Sequence, residues 1–195
     1  MEAEIPEGYK QEMLTIDIVK ANTFAILLAI PVTLIYGIPY ALLWHNKVDA
    51  ASQSSESIFH GVNMLIITGI MFLGIVVHEL IHGVTWAIYA KRGFRSIRFG
   101  IMLKMLTPYC HCKEPLRVKH YIIGGIMPAI ILGILPAIYG IATGDHGIVM
   151  FGGFFTIAAG GDFMIIYLLR KEKMETMVQD HPSEAGCYVY RKTVE

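Results

Sequence analysis

Four long apolar stretches alternate with polar segments along this chain. Residues 23–44, 61–90, 121–143 and 147–169 are nearly free of charge. Each is long enough to cross a hydrocarbon core of about 30 Å, which takes about 20 helical residues. A long acidic segment (Met1 to Asn22) precedes the first stretch and no small-residue cleavage site follows it, so a retained span is expected rather than a signal peptide. The fold class expected is therefore an all-α membrane protein with four transmembrane helices, one domain over residues 1–195, and tails 1–22 and 170–195. The segment Val48 to Ser57 is expected to be a short solvated connection. In the central loop, Ile97 to Met105 alternates imperfectly and is followed by Thr107-Pro108. That pattern leaves two readings, a short β-hairpin at the membrane surface or an interfacial linker. The third stretch carries Gly124, Gly125, Pro128, Gly133, Pro136 and Gly140, which predicts a kinked helix, either lining a water-accessible channel or simply packing bent.

Composition narrows the class. Hydrophobic residues make up 54% of the 195 and charged residues only 16%, against about a quarter charged in an ordinary soluble domain. Disordered chains and coiled coils need more polarity than this. With 16 basic residues balanced by 16 acidic ones, the chain also lacks the net basic face of a nucleic-acid binder. Three cysteines give no basis for a disulfide framework, so free thiols are expected. Position matters more than total charge. All the basic residues except Lys47 lie in the N-terminal tail, the central loop 91–120 or the C-terminal tail. The positive-inside rule then puts both termini and the central loop on the cytoplasmic side of a multi-pass protein of the cell membrane.

Inside the four stretches only four side chains can ionise as His, Asp, Glu, Lys or Arg: His78, Glu79, His82 and Asp162. Such groups are expensive in hydrocarbon unless they pair or bind something. Three of them form His78-Glu79-Leu80-Ile81-His82, an HExxH pattern. On a helix, residues four apart share a face, so both imidazoles can reach one Zn²⁺ at about 2.0–2.1 Å. Glu79 is then placed to take a proton from a water at the metal. With 8 His and 11 Glu in the chain, about 0.02 such matches are expected by chance. The competing explanation is two hydrogen-bonded core histidines with Glu79 as counter-charge.

A catalytic zinc usually takes a third protein ligand, and Asp162 is the remaining acid in the spans. His82 lies nine residues before Lys91 and Asp162 eight before Arg170. The two should therefore sit about 13 Å and about 12 Å from the cytoplasmic ends of spans that run the same way. Gly160 and Gly161 could let the helices approach closely there. The alternative for Asp162 is a hydrogen bond to backbone or to Thr156. Cys110-His111-Cys112 lacks a second metal-ligand pair at zinc-finger spacing and is expected to be free thiols near the surface, with a role at the mouth of the site left open. The remaining histidines, His45, His60, His120, His146 and His181, are expected to be solvated.

At these residues the chain resembles the putative zincin peptidase family of small integral-membrane proteins. The resemblance covers the HELIHG run at His78 to Gly83, PYCHCKEPL at Pro108 to Leu116, Met127-Pro128, the GGD at Gly160 to Asp162 and MVQDHPSEAGCYVY at Met177 to Tyr190. That family is distantly similar to the site-2 intramembrane proteases, which combine a membrane-embedded HExxH with an Asp from a later span, there in an LDG context rather than the GGDF of this chain. The resemblance implies His78, His82 and Asp162 as zinc ligands and Glu79 as base. The function expected is a zinc metallopeptidase acting within or near the cytoplasmic half of the bilayer. Its partners would be the lipid bilayer and a membrane protein or peptide substrate, with the oligomeric state open. The alternative is a non-hydrolytic metal-binding membrane protein, a divalent-cation transporter or a metal-dependent regulator.

Overall fold

The computed structural model describes residues 8–53, 61–102, 107–181 and 184–193. In chain order it runs β1 (Tyr9–Thr15), α1 (Ile18–Gln53), α2 (Gly61–Tyr89), a 3-10 turn (Gly93–Ser96), β2 (Ile97–Met102) and β3 (Thr107–Cys112). There follow β4 (Leu116–Arg117), α3 (Val118–Pro128), a π-helical turn (Ala129–Ile134), α4 (Leu135–Thr143), α5 (His146–Ala158), α6 (Gly160–Leu168), a 3-10 turn (Leu169–Lys171), β5 (Met177–Asp180) and β6 (Gly186–Lys192). Four helical segments are long and apolar enough to cross a membrane: Asn22–Asn46, Met64–Tyr89, Val118–Thr143 and His146–Lys171. They match the four stretches expected from the sequence to within a few residues.

The chain is mostly helical but not all-α, which corrects the expected class. β2 and β3 form an antiparallel hairpin in which Ile97 pairs with Cys112 and Met102 with Thr107. The tails also fold, in the order β1-β6-β5-β4, into an antiparallel sheet. Tyr9 pairs with Lys192 across nearly the whole length of the chain. Each tail strand is short and half-polar, and neither tail names its partner, so a pairing over that separation leaves no local trace. The expected connection at Val48 to Ser57 is also partly overturned. α1 kinks at Trp44 and continues helical to Gln53, and residues 54–60 lie outside the described chain. The kink in the third span is real and takes the form of the π-helical turn just after Pro128.

The chain divides into two compact units. The first comprises residues 1–22, 79–127 and 161–195. Its core joins Trp86 and Ala87 of α2, Ile97 and Cys112 of the hairpin, Val118 and Tyr121 of α3, Leu169 after α6, and Val178, Cys187 and Val189 of the tail sheet. The sheet is thus packed on helix ends rather than hanging from them.

The second unit comprises residues 23–78 and 128–160. α4 ends at Gly144 in a left-handed conformation (φ 69°), and Asp145 caps α5 by accepting a hydrogen bond from the Ile148 N–H at 3.1 Å. Two aromatic residues of α1 hold this turn, Tyr40 donating to the Gly144 carbonyl at 3.2 Å and Trp44 to that of Ile141 at 2.8 Å. Inside the unit glycines allow close contact. A Cβ on Gly152 would lie 2.5 Å from the Gly133 carbonyl oxygen and 2.6 Å from the Ala137 nitrogen, and one on Gly133 would lie 2.4 Å from Thr156 Oγ1. Here the glycines of the third span serve packing. Gly161, by contrast, has nothing within 4 Å of the same construction.

Gly152→Ala should therefore force α5 away from backbone that cannot yield and destabilise by about 1–3 kcal/mol. Gly161→Ala, with open space on a helix, should be neutral or stabilise by up to about 1 kcal/mol. Melting of the purified variants in detergent checks the contrast, and equal shifts would refute it.

Candidate metal centre

α2 carries the HExxH residues without interruption from Gly61 to Tyr89. The boundary between the units falls inside this helix, just after His78, so His78 stands one helical turn from His82 by helix geometry alone. Both imidazoles are buried.

His82 is held on several sides. Its Nδ1 is 2.8 Å from the carbonyl oxygen of Gly124, and since a carbonyl only accepts, Nδ1 carries the proton. That carbonyl is available for a reason written in the sequence. In a regular helix it would accept from the N–H four residues on, but that residue is Pro128, which has none. The ring also stacks on Trp86 at 5.0 Å, and Trp86 stacks on Tyr121 at 5.2 Å while donating from Nε1 to the Tyr121 carbonyl at 3.1 Å. Trp86 can come this close to α3 because residue 124 is glycine, where a Cβ would lie 2.0 Å from the indole nitrogen.

With Nδ1 committed, Nε2 of His82 points at Asp162, in the first turn of α6, with Nε2 and Oδ1 3.3 Å apart. An imidazole lone pair and a carboxylate oxygen repel unless a proton or a cation lies between them. One ligand atom from each of His78, His82 and Asp162 lies within 4.8 Å of the other two. Two donors on a tetrahedral zinc, at bond lengths of about 2.0–2.1 Å, are themselves about 3.3 Å apart. The donor set, two imidazoles and a carboxylate with a carbonyl fixing one ring, thus suits zinc. Gly161 has no close neighbour and Gly160 faces Ala25, so neither glycine accounts for the approach of Asp162 to His82.

Glu79, His82 and Asp162 share the wall of an open cavity of about 600 Å³ within the first unit. The hairpin contributes Ile101 and Pro108 to His111, and the β5–β6 connection contributes Asp180, His181 and Glu184. Cys110 and His111 therefore line the cavity that Glu79 and Asp162 also line. Asp180 was missed. It accepts a hydrogen bond from the Cys112 N–H at 2.7 Å and another from the Tyr121 hydroxyl, and His111 Nδ1 lies 4.0 Å from it. One carboxylate thus joins the hairpin, α3 and the tail sheet. The available signal was its place in β5, where Val178 and Asp180 are the two buried residues of an alternating strand. Burial pushes the Asp180 carboxyl upward and the His111 imidazole downward.

The three cysteines are free. Burial pushes the thiols of Cys112 and Cys187 up to about 12 and raises that of Cys110 as well, so they stay protonated and weakly nucleophilic. Of the other histidines, His120 stacks on Tyr89, His146 lies against the Tyr40 ring, and His181 lies against Tyr188 and lines the cavity. His120 and His181 are half-buried rather than simply solvated, while His146 is exposed as expected. His45 is exposed, and His60 lies outside the described residues.

A helix bearing two histidines one turn apart, with an acidic third donor, defines a metal-centre class, and comparison with known proteins agrees. The model of a family described as "Putative zincin peptidase" matches residues 71–177, which include the HExxH helix, the hairpin and Asp162. The chain belongs to this family, whose description is that of a zinc-dependent peptidase. No curated protein and no solved structure matches the chain.

Two outcomes follow from this geometry. Pro128→Ala supplies an N–H that competes for the Gly124 carbonyl, so zinc affinity should fall about 10–100-fold, as when an outer-shell partner is lost. Pro136→Ala, a similar change away from the centre, should leave it unaltered. Competition titration with a zinc chelator measures both, and an unchanged affinity for Pro128→Ala would refute the role of the freed carbonyl. Asp180→Ala leaves the Tyr121 hydroxyl and the Cys112 N–H unsatisfied, at about 1–3 kcal/mol each. In iodoacetamide at pH 8, Cys112 should resist alkylation in the wild type and react faster in this variant. Equal rates would remove Asp180 as the tie.

Proposed function

We propose that this chain is a multi-pass membrane zinc metallopeptidase that hydrolyses peptide bonds within or near the cytoplasmic half of the bilayer. The reading rests chiefly on the convergence of one donor atom each from His78, His82 and Asp162, with Glu79 lining the cavity beside two of them. Three protein ligands and an accessible fourth position are the arrangement of a catalytic zinc, whereas structural sites are closed by four.

Membrane insertion is supported by what the helices leave outward. Leu27, Ile30, Leu42, Leu65, Leu73 and Ile88 are all more than half exposed, which suits lipid and not water. The pairing of β1 and β6, and of β5 with β4 from the central loop, supports one common side for both tails and that loop. The same segments hold nearly all the basic residues, so that side is cytoplasmic in this reading. A helix-borne HExxH combined with an acid from a later helix also supports kinship with the site-2 proteases, and hence a membrane protein or membrane-bound peptide as substrate.

The chemistry supplied by bound zinc is polarisation of a carbonyl and acidification of water. His78, His82 and Asp162 hold the ion, and the Gly124 carbonyl fixes the tautomer in which the His82 Nε2 lone pair faces it. Glu79 accepts a proton from the attacking water on its carboxylate and returns it to the nitrogen of the departing amine, which leaves the carboxylate ready for another cycle. The open cavity admits water to this wall, and Trp86, Ile165 and Ile166 supply its apolar lining.

Elemental analysis of the purified protein should find about one zinc per chain, retained in Glu79→Gln and lost in His78→Ala and Asp162→Ala. Cleavage of a panel of labelled transmembrane peptides in proteoliposomes should fall about 10²–10⁴-fold in Glu79→Gln. Undiminished cleavage by that variant, or zinc content indifferent to both ligand substitutions, would overturn the proposal.

A further inference from the structure

The segment that follows α2 has an unusual surface. Phe94, Phe99 and Ile101 are large apolar side chains exposed at 59%, 42% and 61% within eight residues. Arg95 and Arg98, also exposed, are interleaved with them. Four other exposed basic residues of the first unit are matched by carboxylates. Arg92 pairs with Glu114, Arg117 and Lys119 with Glu175, and Arg191 with Glu172 and Glu12. Among the described residues Arg95 and Arg98 form no such pair, and they differ from the other exposed basic residues in being interleaved with large exposed apolar side chains.

Depth sharpens the point. β2 does not run straight out from the end of α2. Its Phe99 ring would meet a Cβ on Gly83 at 2.4 Å and the Ile97 side chain would meet it at 3.1 Å, so the strand lies back along the helix. Gly83 is six residues before Tyr89, where the apolar segment of α2 ends, a distance of about 9 Å along the axis. The exposed parts of Phe99 and Ile101, which share the helix-facing side of β2 with Ile97, are therefore level with the last turns of a proposed membrane span. Apolar side chains there face acyl chains, and an arginine there reaches upward with its long stem to the lipid phosphates.

We propose that residues 94–101 form a contact for acidic phospholipid, with Phe94, Phe99 and Ile101 among the acyl chains and the guanidinium groups of Arg95 and Arg98 on the headgroup phosphate. The inference rests on the membrane reading above and not on the metal. Planar guanidinium groups match phosphate oxygens in bidentate geometry, and near an anionic surface each basic residue contributes enough for a several-fold gain in affinity. The same hairpin supplies Ile101 and Pro108 to His111 to the cavity wall. Ile101 thus takes part in both surfaces, and acidic lipid bound along β2 would steady the part of the cavity lining that the hairpin supplies.

The test uses the full chain in neutral detergent, titrated with phosphatidylglycerol, phosphatidylcholine or inorganic phosphate while thermal unfolding is followed. The wild type should be stabilised by both lipids, with half-saturation at least roughly tenfold lower for phosphatidylglycerol. Arg95→Gln/Arg98→Gln should remove that preference and keep the response to phosphatidylcholine. Ile101→Ser should weaken both lipids while preserving the preference, and Lys171→Gln/Lys173→Gln should leave everything in place. Equal affinity of the wild type for the two lipids overturns the headgroup contact alone. So does a preference that survives in the double-arginine variant, or that is lost instead in the lysine variant. Stabilisation by inorganic phosphate equal to that by the acidic lipid identifies a free anion site and likewise overturns it. No response to either lipid overturns the membrane reading as well.

Discussion

A carbonyl oxygen released by a proline sets the orientation of the buried imidazole on which the rest of the site depends. Pro128 has no N–H to give to Gly124, so the Gly124 oxygen accepts from Nδ1 of His82, at 2.8 Å. That single bond fixes the tautomer. It leaves the Nε2 lone pair of the buried His82 ring facing Asp162 Oδ1 at 3.3 Å. Two electron-rich atoms so placed call for a cation or a proton. The kinked third helix, which on composition alone could have been a channel wall or a bent strut, thus has a local chemical consequence at its N-terminal half, while its C-terminal glycines serve close packing.

The same region is braced outward from the candidate metal centre. His82 stacks on Trp86, Trp86 on Tyr121, and the Tyr121 hydroxyl donates to Asp180, which also takes the Cys112 N–H. The sequence runs from α2 through α3 to β5 and the hairpin, and every member is buried. A catalytic group is only as well placed as the residues behind it, and here those residues include the C-terminal tail. The tail strands are therefore structural parts of the first unit, and a carboxylate 18 residues beyond Asp162 shapes the cavity beside Glu79.

Much of this was legible in the sequence, for definite reasons. Spans announce themselves because lipid excludes charge over about 20 residues. The exclusion left four ionisable residues, of which three offer converging ligand atoms and the fourth, Glu79, lies on the cavity wall. That His82 and Asp162 could meet was suggested by counting back to Lys91 and Arg170, since helical rise is constant, and the two side chains do lie 3.3 Å apart. The tail sheet was not legible, because a strand such as Tyr9–Thr15 carries no mark of a partner at the other end of the chain. Asp180 was hidden for the same reason, since in isolation it is one acid in a polar tail and only the β5–β4 and β5–β6 pairings bury it. The release of the Gly124 carbonyl could have been deduced from Pro128 four residues later. Its recipient could not, because His82 lies 42 positions away.

Family membership and site geometry support different parts of the functional reading, and neither replaces the other. The family match covers residues 71–177, a range that takes in the HExxH residues, the hairpin and the Asp162 helix, and supports a zincin-like metallopeptidase. It does not reach β1 or β6, yet β6 holds β5 in register with Asp180 opposite Cys187. The ordering of charge fits this division. The acids that pair with surface arginines and lysines, Glu12, Glu114, Glu172 and Glu175, lie in the tails and the central loop, where water tolerates them. Glu79 and Asp162 lie instead within apolar helices, on the wall of the cavity. Asp162 stands against the Nε2 of His82 at a distance that calls for a cation or a proton between them, and that requirement, more than the motif alone, argues for a metal at this position.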